Sequence, residues 1–220
     1  MAFDVERLKL VNGFLFPKDD IECCGAVFNE LHKIDKIPVT GRRVAIQAGG
    51  NCGVFPVYLA KRFAQVITFE PDPINYECMY ENLDRFIGPD EHVTAINAGL
   101  ADELGDCRMF EPEDEPNNCG ALQVVKGGEI PLMTIDSLKL EGVDLIYLDI
   151  EGYEDLALLG AVETIARDKP TIVCENKGLN DRFPETPPNP SEEFRDWLCA
   201  EFGYVFAGRL MRDDIFVCSK

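Results

Sequence analysis

At 220 residues and 46% hydrophobic content, the chain is long enough for one substantial core and too short for a second full domain. Its 40 acidic side chains against 21 basic ones leave a formal charge of -19, a field that repels phosphate backbones and argues against sequence-independent binding of nucleic acid. Nine cysteines, an odd number with no C-x-x-C pair, beside only His32 and His92, point to reduced thiols, a cytoplasmic setting and no zinc site. No apolar stretch approaches the roughly 20 residues needed to cross a bilayer, so no membrane partner is expected.

In chain order, residues 1–42 read as an N-terminal helical cap on a unit spanning 43–220. Asp19 or Asp20 can cap a helix whose inner face carries Ile21, Cys24, Val27, Phe28 and Leu31, with Glu22, Glu30 and Lys33 outside. Lys33, Lys36, Arg42 and Arg43 form the clearest basic cluster, read as the solvated approach to a strand. Residues 43–70 then give strand, glycine turn, helix and strand. An apolar run over 44–48 stops at Gly49-Gly50-Asn51-Cys52-Gly53, and a second run over 66–69 ends on Glu70. Such a βαβ unit holds a nucleoside, since turn glycines let a ligand approach the backbone and a carboxylate ending the second strand can accept both ribose hydroxyls.

Pro71-Asp72-Pro73 leads into a helix carrying Tyr76, Met79, Tyr80 and Leu83 on one face, and 93–97 is a third strand. Short strands are expected at 104–110, 121–125 and 130–132, around an acidic, proline-punctuated loop over 111–118 that serves as a solvated connection or a lid. The run 143–150 has the character of a central parallel strand and ends in Asp149. One helix with Leu156, Leu159, Val162 and Ile165 inside follows, then a strand over 171–174 ending at Glu175. A loop with Pro184, Pro187, Pro188 and Pro190 precedes a helix through Phe194, Trp197, Leu198 and Phe202, and the runs 204–207 and 215–218 form an antiparallel hairpin. The pattern predicts a three-layer α/β fold, a mostly parallel sheet with helices on both faces. The glycine turn, Glu70, Asn97, Asp149 and Glu175 all fall on the carboxyl edge of that sheet, where such folds bind ligands.

A dinucleotide site wants G-x-G-x-x-G, a spacing that Gly49, Gly50 and Gly53 do not supply, and no Gly-Lys-Ser/Thr exists for a P-loop. S-adenosylmethionine, which has no phosphate to cradle, suits the turn, Glu70 and Asp149 better. The order of segments resembles the FkbM-type S-adenosylmethionine-dependent methyltransferases: Gln47-Ala48-Gly49-Gly50-Asn51-Cys52-Gly53, Phe69-Glu70-Pro71-Asp72-Pro73, Asp149-Ile150-Glu151-Gly152-Tyr153-Glu154 and Leu159-Gly160-Ala161. That resemblance implies a class I (Rossmann-like) seven-stranded methyltransferase fold and methylation of a hydroxyl oxygen on a sugar or other small metabolite. Gln47 stands where the family usually has Asp, which bears on how the methionine part is held.

With that ligand, Glu70 is expected on the ribose, Gly49, Gly50 and Gly53 at close backbone approach, Asn51 near the methionine moiety, and Pro71 and Asn97 beside the nucleoside. Asp149 is expected near the sulfonium, where a fixed negative charge favours the cationic cofactor over the uncharged thioether product. Asp149, Glu151, Glu154 and Glu175 are candidate bases for a hydroxyl acceptor, or oxygen ligands for Mg²⁺. Lys177, Asn180 and Arg182 follow the fifth strand and can reach an acceptor. A ribose 2′-O-methyltransferase and a cofactor-binding module without catalysis are the competing readings.

Overall fold

The structure, a computed structural model, describes residues 5–88, 92–176 and 192–218. Lys177, Asn180, Arg182 and the four loop prolines lie outside the described residues. The chain opens with a 3-10 turn, Val5–Arg7, and a hairpin of β1 (Leu8–Val11) and β2 (Phe14–Pro17), followed by α1 (Cys23–Glu30) and a 3-10 segment, Leu31–Lys36. The core unit runs β3 (Val44–Ala48), α2 (Val54–Ala60), β4 (Gln65–Phe69), α3 (Pro73–Ile87) and β5 (Val93–Ile96). Four short strands follow, β6 (Gly99–Leu100), β7 (Gly105–Phe110), β8 (Gln123–Lys126) and β9 (Ile130–Met133). The chain closes with β10 (Val143–Leu148), α4 (Glu154–Leu159), α5 (Val162–Asp168), β11 (Thr171–Glu175), α6 (Glu192–Phe202), β12 (Tyr204–Leu210) and β13 (Asp213–Cys218).

The main sheet has seven strands in the order β12-β13-β11-β10-β3-β4-β5, parallel from β11 to β5 and antiparallel at the C-terminal hairpin. Successive side chains of a strand point to opposite faces, and here both faces are covered. Ile46, Phe69, Ile146, Leu148 and Ile172 face α4, α5 and α6, where Leu158, Ile165 and Leu198 meet them. Ala45, Val66, Leu145, Tyr147 and Val173 face the other way, onto Ile34, Phe55 and Leu59. The four short strands make a separate sheet, order β6-β9-β7-β8, sealed by Tyr153 over Cys107, Val124 and Leu132.

Three local expectations are corrected. The preface is not all helix: Val11-Asn12-Gly13-Phe14 turns a hairpin, with φ of 51° at Asn12 and 86° at Gly13, the positive values that two-residue hairpin turns require. Buried Asn82 of α3 holds that hairpin down, accepting from Leu15 N at 2.8 Å and donating to Leu15 O at 2.9 Å. The helix after β10 is two helices, because Gly160 brings the chain so close to Ala101 that a Cβ would overlap its carbonyl oxygen, and Leu159 ends up 42% exposed. Finally, Lys33 is not a solvated cation. It is 2% exposed, paired to Glu30 at 2.7 Å and Asp213 at 2.9 Å, and stands over the rings of Phe55 and Tyr147. Burial lowers its pKa, but Asp213, Asp149 and the bond to Glu30 outweigh that and raise it, so the buried cation stays charged. α3 starts by the capping rule, Asp72 Oδ1 accepting from Ile74 N and Asn75 N ahead of Pro73, and Asp20, two residues before the N-cap of α1, accepts from Cys23 N and Cys24 N.

Candidate active site

The chain leaves β3 outward to β4 and β5 and returns to β10 on the other side of β3, so the direction of winding reverses between β3 and β10. Their carboxyl ends are locked in register, with Asp149 N donating to Ala48 O at 3.1 Å. Gly49 has φ of 78°, and a Cβ there would overlap the Asp149 carbonyl oxygen. The glycine turn is thus pinned to the strand that supplies Asp149. Gly50 donates to Phe69 O at 2.8 Å, and a Cβ on it would lie 2.5 Å from Met79 Sδ. Gly53, φ 85°, packs on Met79 of α3 and does not line the cavity. Two of the three turn glycines therefore meet the cavity, and all three are demanded by the protein's own packing.

Glu70 ends β4 and is 5% exposed on the cavity wall. Its Oε2 accepts from Asn51 N at 2.7 Å and its Oε1 from Asp72 N at 2.9 Å, so each oxygen keeps acceptor capacity for a further donor. Burial pushes its pKa up to about 8, against the pull of those two backbone donors. Asn51, at φ 45°, donates through Nδ2 to Cys119 O at 2.9 Å and accepts Cys52 N at 2.7 Å, which ties the turn to the 111–122 segment. Asn97 is not on the cavity. It donates to Glu70 O at 2.8 Å and Pro71 O at 3.0 Å and so holds the acid in place, while Pro71, Ala98, Gly99 and Leu100 form the wall. Gln47, 1% exposed, accepts from Thr68 Oγ1 at 2.5 Å and donates to Gly49 O at 2.8 Å. A carboxylate could not make that second bond, so the amide here braces the turn it stands beside.

Asp149, Glu151 and Glu175 come together: one carboxylate oxygen from each lies within 4.8 Å of the others, on the ends of β10 and β11. Glu151 reaches in from a left-handed backbone, φ 54°. Glu154, from the same motif, does not join them. It is fully buried, accepts from Ile150 N and Gly152 N at 3.0 Å each, and braces the loop that presents the trio. Arg212, in the turn of the C-terminal hairpin, stands 3.4 Å from Glu175 and 3.7 Å from Glu30.

Gly49, Gly50, Asn51, Glu70, Asp149, Glu151, Glu175 and Arg212 open on one cavity of about 580 Å³, ample for a drug-sized ligand. Among the described residues its walls carry Glu22, Glu30, Glu70, Glu115, Asp149, Glu151 and Glu175, with Arg212 as the one cation. The 111–122 segment contributes Glu115, Asn118, Cys119 and Leu122, so the acidic loop covers the site rather than merely connecting strands. Sequence reasoning missed Tyr147, Arg212, Cys23 and Cys119 on these walls. Their only signals are a tyrosine in a central strand, an arginine in a hairpin turn and two unremarkable thiols.

Burial also pushes Glu154 up to about 8. In the unfolded chain Glu70 and Glu154 ionise near 4.5, whereas folded they keep their protons to about 8. Between those values folding binds protons, so the stability from these groups is complete below 4.5 and is lost as pH rises through 8. Denaturant unfolding should give a ΔG that falls from pH 5.5 to 8.5; a flat or rising ΔG would contradict the burial of both acids.

Solved methyltransferase structures superpose on the chain. A methyltransferase FkbM from Methylobacillus flagellatus KT matches 97% of it at TM-score 0.56 and 17% identity, the chain spanning 56% of that protein's length. A precorrin-6y C5,15-methyltransferase from Geobacter metallireducens GS-15 covers 93% of both chains at 0.50 and 13% identity. M. jannaschii TYW2, solved with AdoMet, covers 96% of this chain and 86% of its own at 0.50 and 15%. No curated protein sequence matches. With its seven-stranded, mostly parallel sheet and antiparallel C-terminal hairpin, the chain has the class I methyltransferase fold of these structures. Residues 47–206 match the methyltransferase FkbM domain, and the chain belongs to that family. No helix among the described residues is long and apolar enough to cross a membrane.

Proposed function

We propose that the chain methylates a hydroxyl oxygen of a small metabolite such as a sugar, with Asp149, Glu151 and Glu175 as the acid–base group. S-adenosylmethionine supplies an electrophilic methyl on a sulfonium. The cavity suits that group: Glu70 retains acceptor capacity for two ribose hydroxyls, Gly49 and Gly50 keep the turn bare, and the wall at Ala98–Leu100 offers apolar surface beside it. The trio is the observation that carries the reading. One carboxylate oxygen from each lies within 4.8 Å of the others, which gathers acceptors for the hydroxyl proton at the carboxyl ends of the central strands. Holding the acceptor oxygen in line with the leaving sulfur supplies most of the remaining advantage.

Among the described residues, seven acidic side chains line the wall against one arginine, which supports an acceptor without negative charge. The ribose 2′-O-methyltransferase reading, which needs cations for phosphate, is correspondingly weaker, and acceptors without phosphate or sulfate are favoured. Gln47 is satisfied within the turn, so it offers no support for a module that has lost catalysis. A divalent cation of the Mg²⁺ type on the same trio is the second reading, favoured by its 4.8 Å compactness. Labelled cofactor incubated with matched neutral, amine-bearing and phosphorylated sugars tests the assignment. Alkali-stable label on a neutral or amine-bearing hydroxyl acceptor is expected, unchanged by a chelator. Transfer confined to phosphorylated acceptors would overturn the acceptor class, and loss on chelation with recovery in Mg²⁺ would move the trio from base to metal ligands.

A further inference from the structure

Two thiols that methyl transfer leaves unused meet at the rim of the cavity. Cys23 opens α1, and Cys119 belongs to the segment that covers the site. Their backbone N–H groups donate to the same atom, Oδ1 of buried Asp20, at 3.2 Å each. Their sulfurs also converge on one atom, lying 3.5 and 3.8 Å from Asn51 Oδ1. Gly120 makes room for this, since a Cβ there would come within 3.1 Å of Cys23 Sγ. Both thiols are half-buried and face the cavity, whereas Cys24, Cys52, Cys78, Cys107 and Cys174 are buried. Proximity of the Cys23 thiol, seconded by Cys52, lowers the Cys119 pKa against the effect of burial, and the same proximity raises that of Cys23.

We propose that Cys119 and Cys23 are a peroxide-reactive pair whose disulfide fastens the 111–122 segment to α1 across the glycine turn. The Cys119 thiolate attacks one oxygen of hydrogen peroxide; the O–O bond breaks, the sulfur becomes a sulfenic acid, and hydroxide leaves and takes up a proton as water. Cys23 sulfur then attacks the sulfenyl sulfur, the S–O bond breaks, and the departing hydroxide takes the Cys23 proton as a second water. Two thiols and one peroxide thus give one disulfide and two waters. Asn51 bonds Cys119 O through its side chain and Glu70 through its backbone, so drawing the sulfurs together disturbs the nucleoside wall. By reciprocity, a ligand held on that wall should slow the oxidation; this second effect rests on the cofactor reading above.

The test treats the folded full chain with stoichiometric hydrogen peroxide, alkylates the remaining thiols and maps peptides by mass. A Cys23–Cys119 cross-link, reversed by dithiothreitol and formed about tenfold or more faster than any other cysteine is lost, is expected. Cys23→Ser should leave a sulfenic acid at Cys119 that dimedone traps, and Cys119→Ser should leave Cys23 reduced. A Cys52–Cys119 link, or reactivity of Cys119 equal to that of the remaining cysteines, would overturn the pairing. With S-adenosylhomocysteine shown by calorimetry to be bound, oxidation should slow about tenfold. Unchanged oxidation under bound ligand would overturn the coupling alone, whereas a ligand that does not bind at all counts against the cofactor reading and leaves the pair standing.

Discussion

Replacing Glu70 by alanine should weaken S-adenosylmethionine binding by about 100-fold, whereas Asn97→Ala should cost about tenfold or less. A hydrogen bond to a charged acceptor contributes about 1.5–3 kcal/mol, and Glu70, measured at pH 8.5 where it is ionised, is expected to receive two from one ribose. Asn97 acts only through it, by holding the Glu70 and Pro71 carbonyls. Because Glu70 also braces Asn51 N and Asp72 N, Glu70→Gln is the companion variant that keeps the side chain's size. The pH dependence separates the two roles. Burial keeps Glu70 protonated to about 8, and ribose hydroxyls favour its ionised form. Cofactor affinity of the wild type should therefore tighten by about tenfold or more between pH 6.5 and 8.5, with a proton released on binding. In Glu70→Gln that dependence should disappear. Calorimetry in buffers of different ionisation enthalpy reads both effects, and equal affinities for wild type and Glu70→Ala would remove the ribose assignment.

Asp149→Asn should lower kcat by about 10²- to 10⁴-fold, the range of a general base, with Glu151→Gln and Glu175→Gln falling less. On the proposed reading Asp149 also stands beside the sulfonium, so the same variant should lose affinity for S-adenosylmethionine while keeping affinity for the uncharged S-adenosylhomocysteine. Glu154→Gln sets the scale for an indirect effect: its carboxyl bonds Ile150 N and Gly152 N and does not face the cavity, so its kcat should change by only a few-fold, at a cost in stability. Single-turnover rates with an identified acceptor provide the measurement. A Glu154→Gln loss as large as that of Asp149→Asn would show that loop placement, not proton transfer, limits the reaction.

The parts of the site that were legible in the sequence are those whose spacing is set by local backbone geometry. A turn that must carry positive φ at Gly49 and Gly53 announces itself, and strand ends at Glu70, Asp149 and Glu175 follow from apolar runs that stop at acids. The hairpin before α1 carried its own signal in Asn12-Gly13, overshadowed by the helical spacing of the residues after it. The remainder depends on partners distant in the chain. Lys33 looked solvated because nothing nearby marks Asp213 or Tyr147 as its neighbours. Glu151 and Glu154 look equivalent in one motif, and only the left-handed backbone at Glu151 sends one to the cavity and leaves the other in the core. Helix periodicity runs straight through Leu159 and Val162, but the approach of Ala101 to Gly160 divides it. Cys23 and Cys119 meet only because Asp20 and Asn51 bind both.

A crystal structure of the full chain with S-adenosylhomocysteine would examine the central claim most directly, that the β3–β10 switch point holds the cofactor through Glu70. Both ribose hydroxyls on the Glu70 carboxylate, the adenine against Ala98–Leu100 and the thioether sulfur beside Asp149 are the predicted result. A nucleoside seated elsewhere, with Glu70 still bonded only to Asn51 N and Asp72 N, would contradict it.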